Sequence, residues 1–363
     1  MIEPKYKLTE ETINVNGRTL HRIEALKDFG DVKKGIKGGY VENESNLSQN
    51  GDCWVSDDAK VYGDAKVYDN AKVYGEAEVF GNAIVRDNVQ VYDNAQVYGK
   101  AQVCGKAEVY NDAKVYENAE VYSKAKVYSK AMVYNRAEIH GDALVFGNAQ
   151  VYGYAEVYDD ALVFGHAEVY GDALVYGYTK VYGDALVYGN AEVYGDAEVY
   201  EYGAVFDDAM VFGCAEVYGC AVVCGRARIY DIAKVYGHAE VYGNAEVYGC
   251  ANIYDDTEVY EWAMVYGYAK IYDNAKVYDN AKVYDKAEVC GNAKVFGSAI
   301  VHDNAVAYGH AKVYDKAEVY DDAEVYDDAE VCGEAKVYDN AKVCGDAKVY
   351  DDTEVCDDTE ICE

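Results

Sequence analysis

From Val55 to Ile361 every sixth residue is Val or Ile, with Ala307 the single exception, and no residue is inserted or deleted on the way. The unit reads V-Y-G/D-D/N-A-K/E, and Val61 to Lys66, VYGDAK, is one copy. Its Ala position changes only at Val89, Thr179, Gly203, Thr257, Thr353 and Thr359. A repeat this short cannot bury its own apolar face. It has to stack copies of itself, and an ordinary globular core is excluded.

Side chains alternate between the two faces of a strand. Along A-K/E-V-Y the Lys or Glu must face water, since burying an unpaired charge is costly. Ala and Val therefore point inward, and Tyr points outward beside the charges. The next two positions form a corner, because Gly tolerates positive φ and Asp and Asn cap their own turns. Apolar residues two and six apart make no helical face. Hexads of this kind resemble the left-handed β-helix family, except that Tyr replaces the usual small residue at the second position. The expected fold is all-β: a single-stranded left-handed parallel β-helix of about 17 triangular coils of 18 residues, behind a small β-rich cap. A flattened two-sided coil of 12 residues is the alternative.

The formal net charge is −33. Such a polyanion repels phosphate backbones and anionic lipid, which argues against nucleic-acid or membrane partners. The charge is uneven: residues 1–54 carry 8 basic and 9 acidic groups, residues 315–363 carry 4 and 18. The opening MIEPKYKLTEE has no apolar signal-peptide core, and no segment is long and apolar enough to span a bilayer. Eleven Cys without paired spacing fit a reducing, cytoplasmic setting.

Residues 1–54 do not repeat and are read as a cap over the open strand edge, with the repeat domain running over 55–363. Asn16-Gly17 predicts a hairpin turn between INV and RTLHRI. Asp28, Phe29, Gly38 and Gly39 lie in a Gly-rich segment, and Tyr40 and Trp54 are candidates to seal the end of the Val/Ala core. The run D-F-x-D-V-K-x-G-x-x-G-G, from Asp28 to Gly39, resembles the YdcK-like family of bacterial hexapeptide-repeat proteins. So does L-S-Q-x-G-D-C-W, from Leu47 to Trp54. Members are commonly labelled acetyltransferases by analogy with other left-handed β-helices. No cofactor is expected and no catalytic residue carries over; an acyltransferase, the alternative reading, would bind coenzyme A between subunits of a trimer.

Direct signs of chemistry are sparse. Hexapeptide acyltransferases use a His near a loop that leaves the solenoid, and no loop follows Val55. His140 and His302 occupy the Tyr position, while His166, His238 and His310 occupy the D/N position 72 residues apart, too far for one site. No C-x-x-C occurs; Cys344 and Cys362, 18 apart, would stack on adjacent coils. In 18-residue register one outward column is aromatic without a break from Tyr74 to Tyr272, and includes Tyr182, Tyr200, Tyr218, Tyr236 and Tyr254. Asp285, Asp303, Asp321, Asp339 and Asp357 fall on one corner, a column that could gather Ca2+. The functional expectation is a non-enzymatic structural or interaction rod. Its Tyr faces would bind protein or glycan, or a second copy. The alternatives are the acyltransferase and an acidic cation-binding rod.

Overall fold

The computed structural model describes residues 3–363. The described chain falls into two compact units, one ending at Tyr178 and the other spanning Thr179–Glu363. Both are parallel β-solenoids, and a single 3-10 turn at Glu44–Asn46 is the helical element among the described residues. Successive coils pair in parallel 18 residues apart: Val61 with Val79 in the first unit, Val181 with Val199 in the second. Three columns of strands form three parallel sheets. That register selects the three-sided coil over the 12-residue one.

Hexad strands have two residues, as at Lys60–Val61, or three, as at Lys342–Cys344 and Glu360–Cys362, shorter than the four implied by alternation. The corner explains the difference. The amide of the Ala position donates back to the Tyr carbonyl three residues earlier, as in Ala71 N to Tyr68 O at 3.3 Å, so Tyr and Ala close a turn. The first corner residue has positive φ, near 70° where it is Gly63 and 57° where it is Asp69. Asp tolerates this region better than most L-residues. The core is the inward Val and Ala, fully buried coil after coil, each Val worth on the order of 1.5 kcal/mol.

The cap begins with strand β1 (Tyr6–Val15) and strand β2 (Arg18–Ala25), joined through Asn16 and Gly17, both at positive φ as the hairpin turn requires. Strand β3 (Lys37–Val41) pairs antiparallel with β2 on one side and parallel with the first coil on the other, setting Val41 against Val61. Leu47 bridges Val67 in the same sense. Val41 and Leu47 are thus the leading members of the Val columns, and the parallel ladder starts before the first perfect hexad. Two extra residues between Leu47 and Val55, relative to the hexad spacing, hide this in the sequence.

Gly38 and Gly39 are fixed by close approach. A Cβ on Gly38 would overlap the Val55 carbonyl, Ile23 and Trp54, and one on Gly39 the Ala59 carbonyl. Tyr40 and Trp54 stand in register with Lys60 and Lys72, which places them on the outward side of their strands. Rather than plugging the core, they fill the layer between cap and outer face. Tyr40 packs with Leu20 and Tyr62; Trp54 meets Phe29 edge-on at 5.3 Å. Asp28 accepts from the Lys34 amide and pairs with Lys33.

Candidate functional site: the outward faces of the coils

The outward face of every coil carries two side chains per strand, the K/E position and the Tyr position. Strand spacing stacks the rings of successive coils almost parallel, with centroids 4.8 Å apart between Tyr92 and Tyr110 and 5.1 Å between Tyr254 and Tyr272. In the first unit the column from Tyr74 through Phe146 to Phe164 is stacked throughout. In the second, Tyr182, Tyr200, Tyr218, Tyr236, Tyr254 and Tyr272 repeat the arrangement. Ring faces are therefore covered by other rings, and edges meet the solvent. A sugar that stacks on an aromatic face finds little purchase there.

The hydroxyls are also engaged, in a pattern that alternation alone does not reveal. Tyr62 donates to Glu78 Oε2 at 3.2 Å, and Lys60 donates to Oε1 of the same Glu at 2.9 Å. Lys180 and Tyr182 hold Glu198 in this way, Lys270 and Tyr272 hold Glu288, and Lys312 and Tyr314 hold Glu330. The signal was present as K-V-Y followed by Glu on the next coil. Burial within the ladder, reinforced by these carboxylates, pushes the phenols up: Tyr62, Tyr182 and Tyr308 to about 12.

Aromatic faces open to solvent lie at the corners, where Tyr or Trp replaces the usual Asp or Asn. Tyr202 is 64% exposed, and Tyr154, Tyr178, Trp262 and Tyr268 are similarly open. Reading only the Tyr position missed them; an aromatic residue after the Gly or Glu of a corner, as in Gly153-Tyr154 or Glu261-Trp262, is the mark.

One face of the second unit stands apart. Leu186, Ala204 and Val222 occupy the K/E position on three coils paired in register. Beside them are Tyr188, Phe206 and Cys224. Both outward positions are uncharged for three coils, in a chain where the first usually carries charge. Exposed Tyr202 and Cys220 border the strip.

The five aspartates of the candidate cation column all occupy the positive-φ corner position, at 55–57°. Asp321 Oδ2 accepts from the Asp339 amide at 3.4 Å, and Asp339 Oδ2 from the Asp357 amide at 3.2 Å. Higher in the column, Asp285, His302 and Asp303 bring ligand-type atoms within 4.8 Å of one another. His302 is held from both sides, by Asp303 at 2.9 Å and Glu318 at 3.2 Å, while stacking on Tyr284 and Tyr320. Cys344 and Cys362 are register partners joined as a disulfide.

At the cap, Asp31 and Lys72 form a 2.7 Å ion pair that holds the Asp31 carboxyl below its ordinary range. The pair divides two hollows, of about 450 Å³ and 320 Å³. Lys5, 1% exposed, donates to the Gly51 and Cys53 carbonyls and lies 3.2 Å from Cys53 Sγ. Burial lowers the amine and raises the thiol.

Three parallel sheets of hexads in 18-residue coils define a β-solenoid repeat protein. The family model described as YdcK Beta solenoid repeat matches residues 89–105, inside the hexads and away from the cap motifs. The chain is also similar to a curated relative from Escherichia coli (strain K12) described as "Uncharacterized acetyltransferase YdcK", 38% identical over 61 residues. That stretch is 15% of this chain and 19% of the relative, so the match spans about a fifth of the relative's length.

Proposed function

We propose that this chain is a non-enzymatic interaction solenoid whose working surface is the uncharged strip of the second unit. The observation that carries the reading is the run Leu186, Ala204 and Val222, three successive coils with no charge at a position given elsewhere mostly to Lys or Glu. A solvated face has no use for this. The strip is half-buried with exposed Tyr202 at its border, and contiguous apolar surface flanked by aromatic residues is enriched at contact sites. The acyltransferase reading rests on the printed name of a relative matched over a fifth of its length. The hexads that follow one another without interruption from Val55 favour a scaffold, because fold alone does not carry function.

The test compares the full chain with a Leu186→Glu, Val222→Glu double variant in affinity capture from the source cell. Glu is a native resident of this position in many coils, so the variant keeps the coil. Partners captured by the wild type and lost on the variant are expected. Identical capture by the two proteins, or stoichiometric binding of acetyl-coenzyme A by calorimetry, overturns the reading.

A further inference from the structure

Read every eighteen residues, the three K/E columns place Lys after Lys in only one stretch, and Glu for three coils running in only one other. Lys276, Lys294 and Lys312 stand in register on successive coils of the second unit. Glu120, Glu138 and Glu156 do the same in the first. Like charges one strand spacing apart repel, so each ladder calls for opposite charge. The Lys ladder finds it at its ends, Lys276 on Glu258 at 2.5 Å and Lys312 on Glu330 at 2.8 Å. Lys294, between them, is exposed and makes no ion pair among the described residues. The Glu ladder makes none either: Glu120 and Glu138 accept from neutral donors, Gln102 at 2.9 Å and Tyr122 at 3.0 Å.

The surroundings leave both ladders open. Beside the Lys ladder the corner column is Asn274, Asn292 and His310, and the ring column is Tyr278, Phe296 and Tyr314. The nearest corner acids, Asp273, Asp279 and Asp315, each accept an amide of the next coil. Beside the Glu ladder the one strong base is Arg136. Its guanidinium lies over the Tyr154 ring and donates to the Tyr154 hydroxyl at 3.0 Å. Lys124, round the next corner, pairs with Asp142. The two ladders also share a pitch. The rings beside them are 4.9–5.0 Å apart on the Lys side and 4.7–4.9 Å apart on the Glu side. One face laid along the other therefore brings three Lys to three Glu at once. The ends fit as well. Glu258 and Glu330 flank the Lys ladder, while Gln102 and Leu174 flank the Glu ladder. In either direction of alignment no carboxylate opposes another over this stretch. A slip of one coil loses a pair and sets Glu258 or Glu330 against a Glu.

We propose that the ladders are the two halves of a contact between copies of this chain, the Lys276–Lys312 face of one against the Glu120–Glu156 face of another. A single exposed ion pair contributes little. Here a shared pitch lets three form in one rigid arrangement, with Lys294 opposite Glu138 at the centre. The like-charge penalty for a slipped register fixes the alignment. The two faces are different surfaces, so the contact is heterologous. It lies apart from the uncharged strip and does not depend on what the strip binds.

Sedimentation equilibrium of the purified full chain tests this. Copies of net charge −33 repel at long range, and the ladders attract at contact. The screening length is about 10 Å in about 0.1 M salt and about 3 Å in about 1 M. Self-association is therefore expected at the lower salt, where distant charges are screened, and should weaken at the higher. Lys294→Glu sets two carboxylates against each other at the centre of the contact, and Glu138→Lys sets two ammonium groups there. Both exchanges insert a residue native to this position in other coils. Each variant alone should show a dissociation constant raised roughly tenfold. An equimolar mixture of the two should recover much of the association, because the reversed charge of one meets that of the other. A monomer at every concentration and both salts overturns the proposal. So does association unchanged in either variant, or a mixture that associates no better than its components. The measurement needs no cellular partner, so the ladders can fail while capture by the strip succeeds, or the reverse.

Discussion

The cap and the repeats share one parallel ladder and hold it by opposite means. In the repeats a Val, an Ala and a stacked ring recur at each step, and any coil is a near copy of the next. In the cap almost every contact occurs once. Tyr6 donates to the Leu47 carbonyl at 2.7 Å, Asn46 to the Gly63 and Ala65 carbonyls, and Lys5 to two more. Lys5 and Asn46 are two of only four fully buried polar or charged residues described, and no buried side-chain nitrogen or oxygen among the described residues lacks a partner. Stability in the repeats is a sum of interchangeable nearest-neighbour terms. In the cap it rests on particular atoms, so the two regions should fail under different insults.

The largest difference is expected in alkali. The fold holds the ladder phenols protonated, with Tyr62, Tyr116 and Tyr254 raised to about 12 from an ordinary value near 10. Below about pH 10 both folded and unfolded chains carry these protons, and stability is unaffected. Between pH 10 and about 12 the unfolded chain loses protons that the folded chain keeps, so stability falls as pH rises. Many ladder rings act together in the repeats, while the cap strands β1 to β3 contain only Tyr6 and Tyr40. Hydrogen exchange after an alkaline pulse should show the repeats losing protection at a lower pH than the β1–β2 hairpin. Loss from the hairpin first would break the comparison.

Next in size is Asn46→Ala. It strips two carbonyls at the leading edge of the first full coil of their donor, at a cost of about 2–4 kcal/mol. Asn94→Ala is its counterpart in the repeats. The Asn94 amide reaches Asp112 at 3.2 Å on an exposed corner, and its loss should cost under about 0.5 kcal/mol. Exchange protection over residues 60–68 for the first variant and 91–113 for the second reports each cost locally. Equal costs would mean that the cap is as tolerant as the hexads.

The same contrast governs what could be read from the sequence. The inward Val and Ala and the outward Tyr follow from a strict period, which averages over local irregularity, whereas the period alone fits a 12-residue coil as well as the 18-residue one and the pairing register decides between them. The Asn16-Gly17 turn was legible because two residues with positive φ are a local demand. The parallel seat of Val41 and Leu47 was not, because two extra residues break the phase between Leu47 and Val55. Nor was the outward placement of Tyr40 and Trp54, which depends on that seat. Lys5 reads as an ordinary exposed lysine until the fold brings Cys53 against it.

A smaller effect should appear at Ala307, the one residue in the Val position of the hexads that is neither Val nor Ile. Val289 and Val325 occupy the same column on the adjacent coils. Ala307→Val adds two methyl groups where every neighbouring step already accommodates them, and should raise local stability by about 1–1.5 kcal/mol. Slower exchange at residues 289–325 checks it. A destabilised variant would show that this coil has relaxed around the smaller side chain, so that the repeats too contain unique contacts.

The smallest effect is expected at the acidic corner, where two opposing terms nearly cancel. Asp339 sits at φ 57° and accepts the Asp357 amide on the next coil. Asp339→Gly relieves the backbone conformation, since Gly adopts positive φ freely. It also removes one carboxylate from a column of like charges. Against this it gives up an exposed, charge-assisted hydrogen bond of modest worth. The net change should lie within about 0.5 kcal/mol of zero. Asp339→Ala removes the same hydrogen bond and charge but leaves a Cβ in the left-handed region, where an L-residue without a capping side chain pays about 1–2 kcal/mol. Ala should therefore be worse than Gly by roughly 1 kcal/mol, read as faster exchange over residues 336–358. If Gly and Ala are equally mild, the corner has shifted its backbone to suit the residue, and this part of the array adapts. If both are severe, the Asp339 carboxylate is an irreplaceable contact, and the array at this corner behaves like the cap.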